Sequence, residues 1–192
     1  MDLNFSPQDE TLRAEVRRTL GEILTPAFRD LAARTSGVFS EPPEVLDWQR
    51  ALDDRGWLVP HWPVAAGGLG WNPLQRFILD QELARAGAPV LPGMGLKLVG
   101  PVLYTFGTEA QKARWLPPLR RGTEFWAQGF SEPGSGSDLA SLRTRAVRDA
   151  AGDFIVNGQK IWTTMAQHAT HMFALVRTDP TVKPQRGISF LL

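Results

Sequence analysis

The sequence contains no cysteine, which excludes disulfides, thiol nucleophiles and metal sites built on cysteine. It also has no excess of one charge. Its 21 basic and 20 acidic residues give a formal net charge of +1, so neither nucleic acid nor a membrane is predicted as a partner. No apolar run approaches the roughly 20 residues that cross a membrane, and the opening MDLNFSPQDE lacks a signal-peptide pattern. These absences favour a cytoplasmic protein.

What is present is the composition of an ordinary globular protein. Hydrophobic residues make up 43% of the chain and charged residues 21%, so a packed core rather than disorder is expected. A length of 192 residues suits one substantial domain or two small ones. The seven tryptophans are many for this length, and we expect most of them in the core or along a cleft.

Helix-start signals recur through the first two-thirds of the chain. Ser6–Pro7 and Asn72–Pro73 each combine a capping side chain with a proline at the first helical position. Thr108 is followed three residues later by Gln111, as in a capping box. These signals predict three helix starts, and the helix that follows Thr108 is expected to end near Pro117.

Two further features complete the helical region. A helix is predicted from Pro42–Pro43 to Gly56, and the helix that starts after Asn72 is expected to end at Gly87. The segment 57–71 is rich in proline, glycine and tryptophan. It is therefore predicted to be an aromatic loop.

After Gly122 the pattern changes to short β-prone runs. Strands are predicted near residues 125–130, 142–148, 172–176 and 188–192. Asn157–Gly158 stands between two further β-prone runs, which predicts a hairpin over residues 154–162. The sequence therefore predicts a helical domain over residues 1–123 and an all-β segment over residues 124–192.

A glycine- and serine-rich loop, FSEPGSGSDLAS, begins at Phe130. No Lys-Ser or Lys-Thr follows its glycines, and Leu139 stands where a dinucleotide fingerprint needs its third glycine. It also lacks a G-x-S-x-G nucleophile elbow. Two interpretations stay open. Its glycines and hydroxyls bind a ligand, or Ser137 and Asp138 cap a short turn over residues 139–142.

Four motifs in order point to one protein family. They are Pro60–Gly70 (PHWPVAAGGLG), Phe106–Lys112 (FGTEAQK, followed by Leu116 and Pro117), Gln128–Asp138 (QGFSEPGSGSD) and Asn157–Thr164 (NGQKIWTT). Each resembles a characteristic segment of the acyl-CoA dehydrogenase family. Because the four motifs span nearly the whole sequence, it is identified as a member of that family.

The resemblance implies an α+β multidomain fold. An N-terminal α-helical bundle over residues 1–123 is expected to precede a middle β-barrel domain over residues 124–192. The family also has a C-terminal four-helix domain. The sequence stops on the apolar run ISFLL inside a β region of only about five predicted strands. The β-barrel domain is therefore expected to be incomplete (truncated) here, and the chain to be part of a longer protein.

The resemblance also implies FAD as the cofactor and assigns eight residues to its site. Gln128, Phe130 and Ser131 are expected at the edge of the flavin ring, Gly136 and Ser137 beside the FAD pyrophosphate or the substrate thioester, and Trp162, Thr163 and Thr164 over the ring. Ser137 is thereby also a candidate for binding substrate. A planar ring requires an apolar wall and a few fixed donors, which these residue types supply.

The implied reaction is α,β-desaturation of an acyl-CoA thioester, in which a carboxylate removes the α-proton and a hydride passes to the flavin. The family's glutamate base lies in its C-terminal domain. No catalytic residue is therefore expected in this sequence, and the fragment alone is predicted to be inactive. An electron-transfer flavoprotein is the implied electron acceptor, and a homo- or hetero-oligomer is the implied assembly.

The Gln-Gly-Phe-Ser version of the signature, together with Ile-Trp-Thr-Thr, is similar to a bacterial subgroup that acts on bulky acyl-CoAs such as steroid side chains. Two alternatives stay open. One is a non-catalytic subunit that binds FAD or a partner in a mixed acyl-CoA dehydrogenase assembly. The other is a flavin oxidase or monooxygenase of the same fold.

The remaining polar side chains are given structural roles. His168 and His171 are three residues apart, but no third ligand is nearby, so no metal site is predicted. Glu132 and Lys160 are expected to be structural. We predict that Arg143, Arg145 and Arg148 lie on a solvated strand face. The alternative is that they contact CoA phosphates.

Overall fold

The computed structural model describes residues 5–192, which belong to two compact units. The first unit extends to Thr123 and is helical, whereas the second runs from Glu124 to Leu192 and contains a β-sheet. The predicted fold class, a helical N-terminal domain followed by a middle β domain, is confirmed. Within residues 5–192, no helix is both long and apolar enough to cross a membrane.

The described part of the first unit contains six α-helices and one π-helical segment. They are α1 (Pro7–Ile23), α2 (Pro26–Arg34), α3 (Glu44–Asp54), α4 (Pro73–Ala86), the π-helix (Met94–Val99), α5 (Gly100–Phe106) and α6 (Glu109–Arg121). The segment between α3 and α4 is mainly loop, with one short 3-10 turn at Val64–Ala66.

Local capping sets the helix starts. Ser6, Asn72 and Thr108 each accept a hydrogen bond from the backbone three residues on, and each closes a capping box. The three predicted starts are confirmed. Helix α2 was not predicted, although Thr25–Pro26 carries the same combination of cap and proline.

The predicted end of the last helix near Pro117 is wrong. Helix α6 continues through Pro117–Pro118 to Arg121 and is capped by Gly122, which has a φ of 67°. A proline inside a helix removes one backbone hydrogen bond. Tertiary contacts retain the final turn, because the amide of Gln49 donates to the carbonyls of Leu119 and Arg120 at 2.9 Å.

Two buried polar contacts organise the helical core. Arg13 donates to the carboxylate of Glu82 at 2.7 Å and so joins α1 to α4. The indole of Trp62 donates to the carbonyl of Leu96 at 3.0 Å and holds the aromatic loop on the π-helix. A Cβ on Gly100 would lie 2.8 Å from a carbon of the Trp62 ring, so only glycine fits beneath this indole.

The second unit is a five-stranded sheet. Its strands are β1 (Trp126–Gly129), β2 (Arg145–Arg148), β3 (Phe154–Asn157), β4 (His171–Arg177) and β5 (Ile188–Leu191). Strand β4 is central, since it pairs parallel with β1, antiparallel with β5 and, at Arg177, parallel with β2. Strand β3 pairs antiparallel with β2 and forms one edge of the sheet.

The predicted hairpin over residues 154–162 is wrong. Strand β3 ends at Asn157 and pairs with β2, so the turn lies at Asp149–Asp153, where the two terminal residues share a backbone hydrogen bond of 2.9 Å. A Cβ on Gly158 would lie only 2.6 Å from the Cα of Thr144. Glycine is required at this position by a close approach of two backbones rather than by a turn.

Candidate functional site

The glycine- and serine-rich loop leaves β1 and closes on itself. The N–H of Glu132 donates to the carbonyl of Ser135 at 2.7 Å, and the N–H of Ser135 donates back at 3.1 Å. The hydroxyl of Ser135 donates to the carbonyl of Asp138 at 2.9 Å, so this serine serves the loop itself. Gly134 and Gly136 are exposed, and an added Cβ at either would meet no atom within 4 Å. Their backbone is therefore open to a ligand.

The interpretation in which Ser137 and Asp138 cap a turn is wrong. A 3-10 turn follows at Leu139–Ser141, but Asp138 makes no side-chain cap for it. Instead, the carbonyl of Asp138 accepts the hydroxyls of Ser135 and Ser141 at 2.9 Å and 2.7 Å. The side chains of Ser137 and Asp138 are exposed and are not used by the turn.

The carboxylate of Glu132 ties three segments together. It accepts the N–H groups of Arg143 and Thr144 at 2.6 Å and 2.9 Å, and the ammonium of Lys160 at 2.8 Å. Burial by itself raises the pKa of Glu132, but the hydrogen bonds from Lys160 and from the segment at 143–144 outweigh it and lower the pKa to about 2. The structural role predicted for Glu132 and Lys160 is confirmed.

Two adjacent hydrogen bonds join the two segments that carry the predicted site residues, 128–137 and 162–164. Nζ of Lys160 donates to the carbonyl of Phe130 at 2.9 Å. The N–H of Ile161 donates to the carbonyl of Ser131, also at 2.9 Å. Trp162 follows directly, so Ser131 and Trp162 lie at the same junction between two segments distant in sequence.

Trp162 has an unusual conformation at this junction. Its φ of 56° lies in the left-handed region, and its side chain is 86% exposed. For a bulky residue such a backbone is rare and costs about 1–3 kcal/mol. An indole in solvent recovers little of this energy through packing, so packing within the described residues does not account for the strained backbone.

Four of the predicted hydroxyl groups make no hydrogen bond within the described residues. They belong to Ser131, Ser137, Thr163 and Thr164. The neighbouring hydroxyls of Ser135 and Ser141 both donate to the loop backbone. Ser135 and Ser141 therefore stabilise the loop, whereas the hydroxyls of Ser131 and Ser137 are available to a ligand.

The other predicted side chains lie at the base of the loop. Gln128 is half-buried on β1, in register with Phe173 on β4. The ring of Phe130 packs edge-on against Phe173 and Phe190, with centroids 5.7 Å and 6.4 Å away. Phe130 therefore anchors the start of the loop in the core of the second unit.

Arg177, which was not predicted from the sequence, holds the far end of the loop. Its guanidinium donates to the carbonyls of Ala140, Leu142 and Pro184 at 2.7 Å, 3.1 Å and 2.9 Å. The signal in the sequence was an arginine directly after the apolar run 172–176. An arginine there is well placed to satisfy carbonyls that a loop leaves without partners.

Comparison with known sequences identifies the family. Residues 6–123 match the family described as "Acyl-CoA dehydrogenase, N-terminal domain", and residues 127–192 match "Acyl-CoA dehydrogenase, middle domain". The chain belongs to the acyl-CoA dehydrogenase family.

Individual relatives agree with this assignment. The chain is 38% identical over 195 residues to acyl-CoA dehydrogenase FadE26 of Mycobacterium tuberculosis, covering 100% of this chain and 48% of that protein. It matches the ChsE4-ChsE5 complex of the same organism with 40% identity and a TM-score of 0.83, over 100% of this chain and 47% of that one. It also matches the "Tcur3481-Tcur3483 steroid ACAD" with 37% identity and a TM-score of 0.82, over 100% and 48% of the two chains.

A more distant structure was solved with a flavin. A glutaryl-CoA dehydrogenase from Mycobacterium smegmatis in complex with FADH2 is 26% identical, with a TM-score of 0.63, over 91% of this chain and 44% of that one. The chain spans about half the length of the relatives it matches. Its predicted similarity to a steroid-type subgroup of the family is confirmed.

Proposed function

We propose that this chain supplies the flavin-binding surface of an FAD-dependent acyl-CoA dehydrogenase that desaturates an acyl-CoA thioester between its α and β carbons. One observation carries the proposal. Trp162 carries an exposed ring on a strained, left-handed backbone, directly after the residue whose N–H bonds to Ser131. The hydroxyls of Ser131, Thr163 and Thr164 have no other partner in the described residues.

The residues fit a planar cofactor. Trp162 offers a flat apolar wall, and Thr163 and Thr164 follow it directly with available hydroxyls. Ser131 offers a hydroxyl from the facing loop. We assign Gln128, Phe130 and Ser131 to the ring edge, Gly136 and Ser137 to the pyrophosphate or the thioester, and Trp162, Thr163 and Thr164 to the ring.

A bound flavin supplies the hydride acceptor for the desaturation. The hydroxyl donors of this chain would stabilise negative charge that develops at the ring edge, because fixed donors in a site closed to water act strongly on such charge. Glu132 cannot serve as the proton-abstracting base. Its carboxylate is buried, fully bonded and committed to Lys160, so it has no free position for an α-proton. We assign the base to none of the residues described here.

The names of the relatives support a proposal for the substrate class and the assembly. One relative is named as a steroid enzyme and another as a two-component complex. We propose a bulky acyl-CoA as the substrate, a homo- or hetero-oligomer as the assembly and an electron-transfer flavoprotein as the electron acceptor. A second candidate function, favoured by those complexes, is a subunit that binds FAD and a partner without supplying the base.

FAD titration of the purified polypeptide, followed by flavin fluorescence, tests the proposal. We expect weak but saturable binding that Trp162→Phe retains and Trp162→Ala loses, because the aromatic face is the main contact. Trp71→Ala, which removes a tryptophan elsewhere, should bind FAD like the unmodified chain. If Trp162→Ala binds FAD normally, or if millimolar FAD does not bind, the assignment is wrong.

Chemistry is tested in the oligomer that contains this chain. An acyl-CoA should bleach the bound flavin in the absence of oxygen, because a dehydrogenase transfers hydride from the thioester. In air, hydrogen peroxide should not accumulate with turnover, which separates a dehydrogenase from an oxidase. If this chain still bleached its flavin after the partner subunit had been removed, the base would instead lie on this chain.

A further inference from the structure

The helical unit contains a cavity that no part of the flavin proposal uses. Its volume is about 690 Å³, within the range of small-molecule sites. Helices α3 and α4, the loop after α3 and the segment that leads into the π-helix form its walls. The apolar lining includes Trp57, Leu58, Leu83, Val90 and Pro92.

Four polar side chains also line this cavity, namely His61, Arg76, Asp80 and Lys97. Nε of Arg76 is buried and has no hydrogen-bond partner among the described residues. Within residues 5–192, neither Arg76 nor Lys97 forms an ion pair, and Asp80 forms none with either of them. Arg76 and Lys97 therefore bring two cationic side chains to the cavity wall without a carboxylate partner among the described residues.

Positive side chains outnumber negative ones around the cavity. Burial lowers the pKa of His61, and the positive charges of Arg76 and Lys97 lower it further. His61 is therefore neutral at pH 7, which leaves two cations against the single carboxylate of Asp80. A positive group at an apolar cavity is complementary to the acidic group of an otherwise apolar molecule.

We propose that the cavity binds an apolar acid, with its hydrocarbon body against Trp57, Leu58 and Leu83 and its carboxylate on Arg76, supported by Lys97. A guanidinium pairs with a carboxylate through two parallel donors, which a neutral alcohol cannot reproduce. The proposal goes beyond the flavin site and requires neither FAD nor the second unit. Its failure would therefore leave the proposed function untouched, and the reverse also holds.

Calorimetric titration of the purified full chain with two matched probes tests it. Octanoate and 1-octanol have the same hydrocarbon body and differ in the acidic group, and a flexible chain adapts to the shape of the cavity. We expect octanoate to bind about tenfold more tightly than 1-octanol, as for a partly solvated charge-assisted hydrogen bond. Arg76→Gln should remove this preference without changing the affinity for 1-octanol, and Lys97→Gln should reduce it.

Arg18→Gln is the matched control, because it removes an arginine from the exposed face of α1. It should leave both affinities unchanged, and circular dichroism should show all three variants folded. Equal affinity for the two probes, or a preference that survives both Arg76→Gln and Lys97→Gln, would overturn the proposal. Failure of both probes to bind would also overturn it. If the chain then sediments as a dimer, a second copy is the occupant of the cavity.

Discussion

Nζ of Lys160 lies 2.8 Å from Oε1 of Glu132, although the two residues are 28 positions apart in the sequence. Both side chains are buried, with 10% and 7% of their surfaces exposed. The same ammonium donates to the carbonyl of Phe130. One buried ion pair therefore fixes the glycine- and serine-rich loop against the segment that carries Trp162.

Glu132→Gln should destabilise the second unit by about 3 kcal/mol, because it leaves the Lys160 ammonium buried without its counter-charge. Urea unfolding followed by tryptophan fluorescence measures this loss. Glu22→Gln is the matched control, since Glu22 forms exposed ion pairs with Arg18 and Arg55, which are worth less than about 1 kcal/mol. Equal effects of the two substitutions would contradict the prediction.

The stability of the helical unit should fall in acid. Hydrogen bonds from Arg17 and then Arg13, acting against burial, lower the pKa of buried Glu82 to about 2. An unfolded glutamate titrates near 4.3, so the unfolded chain binds more protons between these values. About 3 kcal/mol of stability, present at neutral pH, should be lost as the pH falls from about 5 to 2.

Urea midpoints between pH 6 and pH 2 measure this loss. Glu82→Gln should flatten the pH dependence because it removes the titrating group, although it also lowers stability at pH 7. Glu15→Gln, on the exposed face of α1, should leave the slope unchanged. A Glu82→Gln protein with the unmodified slope would show that the Arg13 and Arg17 contacts do not perturb this carboxylate.

Gly158→Ala should destabilise the second unit by about 1–3 kcal/mol, because the new Cβ would meet the backbone of Thr144 at 2.6 Å. Gly134→Ala supplies the control, since an added Cβ there meets no atom within 4 Å. It should change stability by less than about 0.5 kcal/mol. Thermal unfolding of both variants tests the pair, and a tolerated alanine at 158 would refute the close-approach explanation.

Trp162→Gly should stabilise the polypeptide by up to about 1 kcal/mol while abolishing FAD binding. Glycine adopts a φ of 56° without strain, whereas tryptophan does not. The gain is limited, because glycine also gives the unfolded chain more freedom. Trp162→Ala should lose FAD binding without this gain, since alanine keeps the strain. A destabilised glycine variant would mean that the indole packs more tightly than its 86% exposure implies.

Features encoded within a few residues could be predicted. The capping boxes at Ser6, Asn72 and Thr108 locate three helices because each side chain bonds the backbone three positions on. The start of α2 carried the same signal at Thr25–Pro26 and could have been found. The site residues were chosen through resemblance to a family, and their assignment to a flavin stays a prediction.

Features that depend on distant contacts could not be predicted. The Asn157–Gly158 pair is a strong turn signal, yet β3 ends there because β2 is its partner and Thr144 lies against Gly158. Likewise, Pro117–Pro118 signals a helix end that contacts from Gln49 override. In both places a local preference is weaker than the packing of segments far apart in the chain.

The amino-acid sequence by itself determined where most helices begin, where the β-prone region starts and to which family the chain belongs, because caps, periodicity and motifs are local properties. The tertiary structure alone decided that Ile161 bonds to Ser131, that Lys160 neutralises Glu132 and that Trp162 is exposed on a left-handed backbone. The two hydrogen-bonded pairs join residues about 30 positions apart, and only the pairing of strands and the burial of charge bring them within hydrogen-bond distance.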